Sequence, residues 1–307
     1  MRRKDLLDLR SVSADEITYL LDTAASFREI LKRPVKKVPT LRGKSVATIF
    51  FEASTRTRTS FEHAAKIMSA DTYSLAGNTS SAVKGESLKD TMLTLDAMGI
   101  DAFVIRHSFS GAAELAAKYV PTKPVINAGD GTHEHPTQGL LDLLTIRDAK
   151  GRVEGLTVAI VGDIQHSRVA RSNIWGLHAM GANVRLIAPS TLMPADAAQL
   201  PATVYTDLAA GLEGVDVVNV LRIQLERQDS AFFPSVSEYA RLFGVSKSKL
   251  KASAKPDVTV LHPGPMNRGI EIASDLADDK EIAVITDQVT NGVAIRMAVL
   301  FWLMGAT

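Results

Sequence analysis

The sequence predicts an α/β protein made of two doubly wound parallel-sheet domains. Three observations point there. Short β-rich apolar runs alternate with runs of helical periodicity, the alternation occurs twice, and a polar, glycine-bearing segment, "AKGRVEG", separates the two series. Strands joined by helices run parallel, and the ligands of such sheets gather at the carboxyl ends of the strands.

The first series opens with "DEITYLLDTAASFREILK", a helix behind the candidate cap Ser13 and ahead of Pro34. "KSVATIFF", "DAFVIR" and "PVINAG" are short buried strands. Between and after them lie four helical runs: "TSFEHAAKIM", "ESLKDTMLTLDAMG" ending at Gly99, "AAELAAKY", and "PTQGLLDLLTIRDAK", whose Pro136 suits a first helical turn. In the second series "LTVAIVGD", "NVRLIAP", "VDVVNVLR" and "DVTVLHPGP" are strands, with "RVARSNIWGLHAMG" and "VSEYARLFG" as helices. The terminal run "MAVLFWLM" is far shorter than the ~20 residues of a membrane span and reads as a buried helix.

Composition narrows the function. In 307 residues, 46% hydrophobic, Lys and Arg number 35 against 34 for Asp and Glu, so no global field favours nucleic acid or an anionic membrane. Any basic site must be local, and small molecules and other subunits are the expected partners. Cysteine is absent, which excludes disulfides, thiolate nucleophiles and Cys-bound zinc. Asp5 and Asp8 interrupt the apolar positions of the N-terminal stretch, so no signal-peptide core forms and a cytoplasmic location is expected.

Four segments place polar groups where strands end: "EASTRTRTS", "IRHS", "NAGDGTHEHPTQ" and "VLHPGPMNRG". In the first, Ser54, Thr55, Arg56 and Thr57 offer hydroxyls, backbone N–H groups and a guanidinium to one anion at a helix start. A phosphate suits them; a plain helix cap with solvated arginines is the competing reading. No Walker loop or spaced dinucleotide glycines occur. His133, His135 and Gln138 share one segment, but no cluster nearby completes a ligand set, so no metal is expected. Arg106 follows a buried run and is either a site residue or an ion-pair partner. Ser80 and Lys84 fall in a polar loop that reads by itself as plain surface, while Arg168 and the pair Arg222 and Gln224 follow strands and are either solvated at a helix start or together receive carboxylates.

Taken in order, "FFEASTRTRTSFE", "NTS…KGESLKDT", "IRH", "NAGDG…HPTQGLLDL", "VGD….R" and "LHPGPMNRG" resemble the catalytic chains of the aspartate carbamoyltransferase family, and the likeness spans essentially the whole chain. The resemblance implies transfer of the carbamoyl group of carbamoyl phosphate to the amine of L-aspartate, the committed step towards pyrimidines, with no metal or organic cofactor. It assigns Ser54, Thr55, Arg56, Thr57 and Ser80 to the phosphate. Thr57, Arg106 and His135 fall around the carbonyl oxygen, and Gln138 at the carbamoyl nitrogen. The backbone at Gly264 and Pro265 lies against carbamoyl phosphate, and Arg168, Arg222, Gln224 and Lys84 meet aspartate. Donors aimed at an oxygen that gains charge in a tetrahedral transition state favour that state. Arg106, His135, Thr57 and Lys84 are the expected catalytic residues.

The same likeness implies a homotrimer whose sites are shared, with Ser80 and Lys84 reaching a neighbouring subunit. It implies a carbamoyl phosphate-binding domain over residues 1–148, an aspartate-binding domain over 149–287, and a terminal helix, 288–307, that returns to the first domain. The active site is expected in the cleft between the domains, with Glu52 and Arg227 as interdomain partners. Because a helix turns about 100° per residue, Arg58 need not face the ligand with Arg56, and it is assigned to an ion pair. Ornithine carbamoyltransferases typically carry H-C-L-P where this chain has "HPGP", and zero cysteines speak against that activity. A catalytically dead scaffold is the rival from another class. "HPGPMNRG" resembles the form in simpler trimeric bacterial members; association with a regulatory chain or dihydroorotase stays open.

Overall fold

A computed structural model describes residues 3–76, 86–223 and 235–305. They form two compact units, one of Met1–Leu141 with Thr290–Thr307 and one of Asp142–Val289. In chain order the first unit contains α1 (Ala14–Leu31), β1 (Ser45–Phe50), α2 (Thr55–Ile67), β2 (Asp71–Ala76), α3 (Leu88–Ala97), β3 (Ala102–His107), α4 (Ala112–Tyr119) and β4 (Val125–Asp130). Helix α5 (Pro136–Lys150) begins in this unit and enters the second. The second holds β5 (Thr157–Val161), α6 (Arg168–Ala179), β6 (Asn183–Ile187), β7 (Thr203–Tyr205), α7 (Leu208–Leu212), β8 (Val217–Val220), α8 (Val236–Phe243), α9 (Lys247–Ser253), β9 (Thr259–Leu261) and α10 (Ser274–Ala277). Helix α11 (Ile285–Met304) starts there and runs into the first unit.

Both sheets are wholly parallel, in the orders β2-β1-β3-β4 and β7-β6-β5-β8-β9. The doubly wound α/β class predicted from the alternation is the class observed. In each sheet the first strand lies inside, so the chain leaves it in one direction and later returns to its other flank. Those switch points fall between β1 and β3 and between β5 and β8.

Interior strands read as apolar runs because both faces are covered: β1, β3, β5 and β8 are buried almost throughout. In the first unit Ala47, Ile49, Phe103, Ile105 and Val125 pack with Met92 and Leu95 of α3 and Val120. Helix α1 is closed by the expected residue, since Ser13 and Glu16 complete a capping box. Two edge strands went unread in the sequence. In β2 the residues are half-exposed or exposed and carry no apolar run, and β7 has three residues. Helix α2 starts at Thr55 behind the N-cap Ser54, as expected for the donors Ser54 to Thr57 at a helix start, ahead of the periodic run "TSFEHAAKIM". Among the described residues no helix is long and apolar enough to cross a membrane.

The second unit is pinned by a buried carboxylate. Asp142 accepts from the side-chain amides of Asn173 (2.7 Å), Asn219 (3.1 Å) and Gln288 (2.7 Å), which ties α6, β8 and α11 to α5. Removing it strands three donors away from water. Asp142→Ala is expected to cost about 3 kcal/mol, measurable as a fall in the urea midpoint; an unchanged midpoint would mean water replaces the carboxylate.

Candidate active site

At the first switch point, β1 and β3 run in register with Phe50 beside Arg106. The backbone N–H of Phe51 donates to the Arg106 carbonyl at 2.9 Å. The Arg106 guanidinium then spans three strand ends, donating to Glu52 after β1 (2.7 Å) and to the Ala128 carbonyl of β4 (3.1 Å). Its side chain is 14% exposed, so it is held in place yet reachable from the carboxyl edge. Glu52 pairs with Arg106 of its own unit, and Arg227, the interdomain partner expected from the resemblance, lies outside the described residues.

The turn after Glu52 starts α2. Ser54 has the extended backbone of an N-cap, but its side chain makes no capping hydrogen bond, and the first turn carries no acidic residue. Since the first helical bond runs from Arg58 N to Ser54 O, the N–H groups of Thr55, Arg56 and Thr57 precede the helical ladder. Three N–H groups and the positive end of the helix dipole meet at the carboxyl edge of β1. Thr57 is buried while Arg56 is exposed. Arg58 turns towards Glu62, with Nε at 3.9 Å from its carboxylate.

The stretch after β4 is folded from beneath. Asn127 donates to Asp130 (2.7 Å) and to the carbonyls of Leu7 and Glu134, and its own oxygen accepts from Gly129 N–H. Asp130 also accepts from Gly111 N–H at 2.8 Å. His133, paired with Asp130 at 3.1 Å, is 41% exposed, and the hydrogen bond to Asp130 raises its pKa. His135 is buried, directly before α5, and Gln138 one turn later is buried too. The two residues share a helix face, whereas His133 belongs to the loop's own scaffold.

In the second unit, Gly162 passes so close to β8 that a Cβ there would meet Leu221 at 3.1 Å, in a backbone with φ of 130°. Asp163 accepts from His166 N–H (3.1 Å) and pairs with its ring (2.9 Å). Ser167 caps α6, and Arg168, 3% exposed, is its first residue. Arg222 leaves β8 two residues after its end. The "HPGP" turn rests on His262, whose ring bonds Glu271 (3.1 Å) and accepts from Gly264 N–H (2.9 Å). Asn267 ties this turn to the Ile223 carbonyl at 3.0 Å, next to Arg222. Burial, with Glu271 and Asp163 nearby, raises the pKa of the Tyr239 phenol.

Each unit thus collects its candidate residues at one sheet edge. Ser54, Thr55, Arg56, Thr57, Arg106, His135 and Gln138 lie in the first; Arg168, Arg222, Gly264 and Pro265 lie in the second. Ser80, Lys84, Gln224 and Arg227 lie outside the described residues. The residues that sequence reasoning missed are the supports: Asn127, Asp130, Asp163, His262 and Glu271.

Residues 4–148 match the model of the aspartate/ornithine carbamoyltransferase carbamoyl-P binding domain, and residues 154–303 match that of the Asp/Orn binding domain. The chain belongs to the aspartate/ornithine carbamoyltransferase family. It is 61% identical to the aspartate carbamoyltransferase catalytic subunit of Heliobacterium modesticaldum, over 100% of this chain and 97% of the relative. It is 59% identical to that of Moorella thermoacetica, over 99% and 98%. Among solved structures of the carbamoyltransferase family, aspartate transcarbamoylase from Trypanosoma cruzi in complex with N-(phosphonacetyl)-L-aspartic acid matches with a TM-score of 0.89 and 31% identity, covering 99% of this chain and 97% of that one. Ornithine carbamoyltransferase from Pyrococcus furiosus matches with a TM-score of 0.86 and 30% identity, covering 99% and 98%.

His107 ends β3 next to Arg106 among the candidate residues of the first unit. Its Nδ1 accepts from Phe109 N–H at 3.0 Å, and its ring packs on Phe51 at 5.0 Å. Burial lowers its pKa, against the opposing pull of Asp130 and Glu52. A folded pKa below the unfolded one means the unfolded chain takes the proton first as pH falls. The contribution to stability is therefore complete above about 6.5 and is lost as pH falls from there through the folded value. NMR titration of the His107 ring is expected to give a midpoint below about 6.5; a midpoint above it would mean the carboxylates outweigh burial.

Proposed function

We propose that the protein transfers the carbamoyl group of carbamoyl phosphate to L-aspartate, giving N-carbamoyl-L-aspartate and phosphate. The observation that carries this reading is the first turn of α2, where Ser54 does not cap its own helix and no acid is present, beside the fixed guanidinium of Arg106. That arrangement suits a phosphoryl group carrying a polarisable carbonyl. The relatives named as aspartate carbamoyltransferase catalytic subunits support the choice of acceptor.

In this reading Ser54, Thr55, Arg56 and Thr57 bind the phosphate. Arg106, His135 and Thr57 donate to the carbonyl oxygen, Gln138 faces the carbamoyl nitrogen, and the backbone at Gly264 and Pro265 lines the same substrate. Arg168, Arg222 and Gln224 take the aspartate carboxylates, two guanidinium forks suiting two carboxylates. Attack of the unprotonated amine forms the C–N bond and develops negative charge on the carbonyl oxygen, which Arg106 and His135 stabilise. The C–O bond to phosphate then breaks, and the departing phosphate accepts the amine proton. Orientation of the two substrates supplies much of the rate, since no side chain is needed as general base. Ser80 and Lys84 complete the site from a neighbouring subunit of a homotrimer, and the reaction feeds pyrimidine synthesis.

The test presents carbamoyl phosphate with aspartate, ornithine or no acceptor. Equal amounts of N-carbamoyl-aspartate and phosphate are expected with aspartate alone. Citrulline from ornithine, or phosphate release without acceptor, overturns the reading. Arg106→Ala is expected to lower kcat by about 10²–10³-fold, the loss typical of one oxyanion donor, while Arg56→Ala chiefly weakens carbamoyl phosphate.

A further inference from the structure

Arg296 lies in the middle of α11, within the part of that helix that belongs to the first unit, and is 4% exposed. Its NH1 donates to Ser60 Oγ at 3.0 Å, and its guanidinium carbon stands 5.0 Å from the centre of the Phe61 ring. The Nε atom is buried without a hydrogen-bond partner, and no carboxylate pairs with the group among the described residues. The charge whose field it feels is a like one, Arg106; burial first, and then Arg106, bring its pKa down to about 10. Room for the guanidinium comes from Gly292, one turn earlier on α11, where a Cβ would lie 2.6 Å from NH1.

A buried, unpaired charge is among the more expensive features of an interior, and a hydrogen bond to a hydroxyl with one ring contact offsets it only in part. Its position suggests what completes the balance. Ser60 and Phe61 are three and four residues after Thr57, so they occupy the same face of α2 one turn, about 5.4 Å, behind the helix start. Arg296 therefore stands behind the same anion site that Arg106 flanks.

We propose that Arg296 is a positioning residue for carbamoyl phosphate: a positive charge buried behind the first turn of α2 that lacks a counter-ion until the substrate's phosphate arrives. It touches no substrate. Its charge adds to the field at the cradle, and its contacts with Ser60 and Phe61 fix the face of α2 that carries Thr57. This rests on reading Ser54 to Thr57 as the phosphate cradle.

The inference separates from a merely structural role because the two predict opposite effects on the empty protein. Arg296→Met keeps the length of the side chain and its packing on Phe61 while removing the charge. It is expected to leave the urea midpoint of the ligand-free protein unchanged or raised, and to weaken inorganic phosphate and carbamoyl phosphate, measured by calorimetry, by about tenfold or more. Arg296→Lys, which retains the charge, is expected to keep most of that affinity. Unchanged phosphate affinity in Arg296→Met overturns the inference. So does its failure to fold, or equal losses in the Met and Lys variants, which would assign the effect to shape. Arg56→Ala is titrated alongside. If it binds phosphate as tightly as the parent protein, the cradle reading fails; if it loses affinity while Arg296→Met does not, only the present inference fails.

Discussion

An all-parallel sheet whose first strand lies inside it forces the chain to leave that strand towards opposite flanks, and both units obey this constraint. A chain that leaves a parallel strand does so at its carboxyl end, so strand ends and the helix N-termini that follow directly, such as α2 after β1 and α6 after β5, share one rim. At β1 and β3 the rim brings Glu52 to Arg106; at β5 and β8 it brings Gly162 against Leu221. Neither contact is local in sequence. Each follows from strand order, which also gathers the candidate residues at that rim.

Charge along the first rim is arranged around one fixed guanidinium. Arg106 is anchored by a carboxylate on one side and a carbonyl on the other, which leaves its orientation little freedom. Two nearby arginines of α2 are spaced two apart and so diverge around the helix: Arg56 stays exposed, while Arg58 faces Glu62. An acid in the first turn of α2 would satisfy the helix dipole internally and compete with an incoming phosphate. Its absence keeps that end of the helix available to a ligand.

Much of this was legible in the sequence because interior strands and long helices have strong periodic signatures. Ser13 with Glu16 marks the start of α1, and Pro136 marks that of α5. Edge strands escaped for a physical reason. With only one neighbour and partial exposure, β2 can be built from Asp71, Thr72 and Tyr73 without an apolar run. The candidate ligand-binding residues could be read because they cluster in short motifs at strand ends. Arg296 could not, since α11 reads as an apolar helix and its partners Ser60 and Phe61 lie more than two hundred residues earlier. Only packing gives that arginine a meaning.

The supports beneath the rim repeat one device. A buried acid accepts backbone N–H groups of a loop and pairs with a histidine of the same loop: Asp130 with His133, Asp163 with His166, and Glu271 with His262. Burying a carboxylate to this degree is costly, and the loop N–H with the histidine ring offsets that cost in one geometry, although Oε2 of Glu271 keeps no partner among the described residues. The loop conformation is thereby coupled to the desolvation of a charge, so distorting the loop exposes an imbalance far larger than a lost neutral hydrogen bond. Such loops hold His135, Arg168 and Gly264 in place before any substrate binds. In the proposed mechanism, which orients two small molecules and aims donors at one oxygen, rigidity beneath the rim is a direct source of rate.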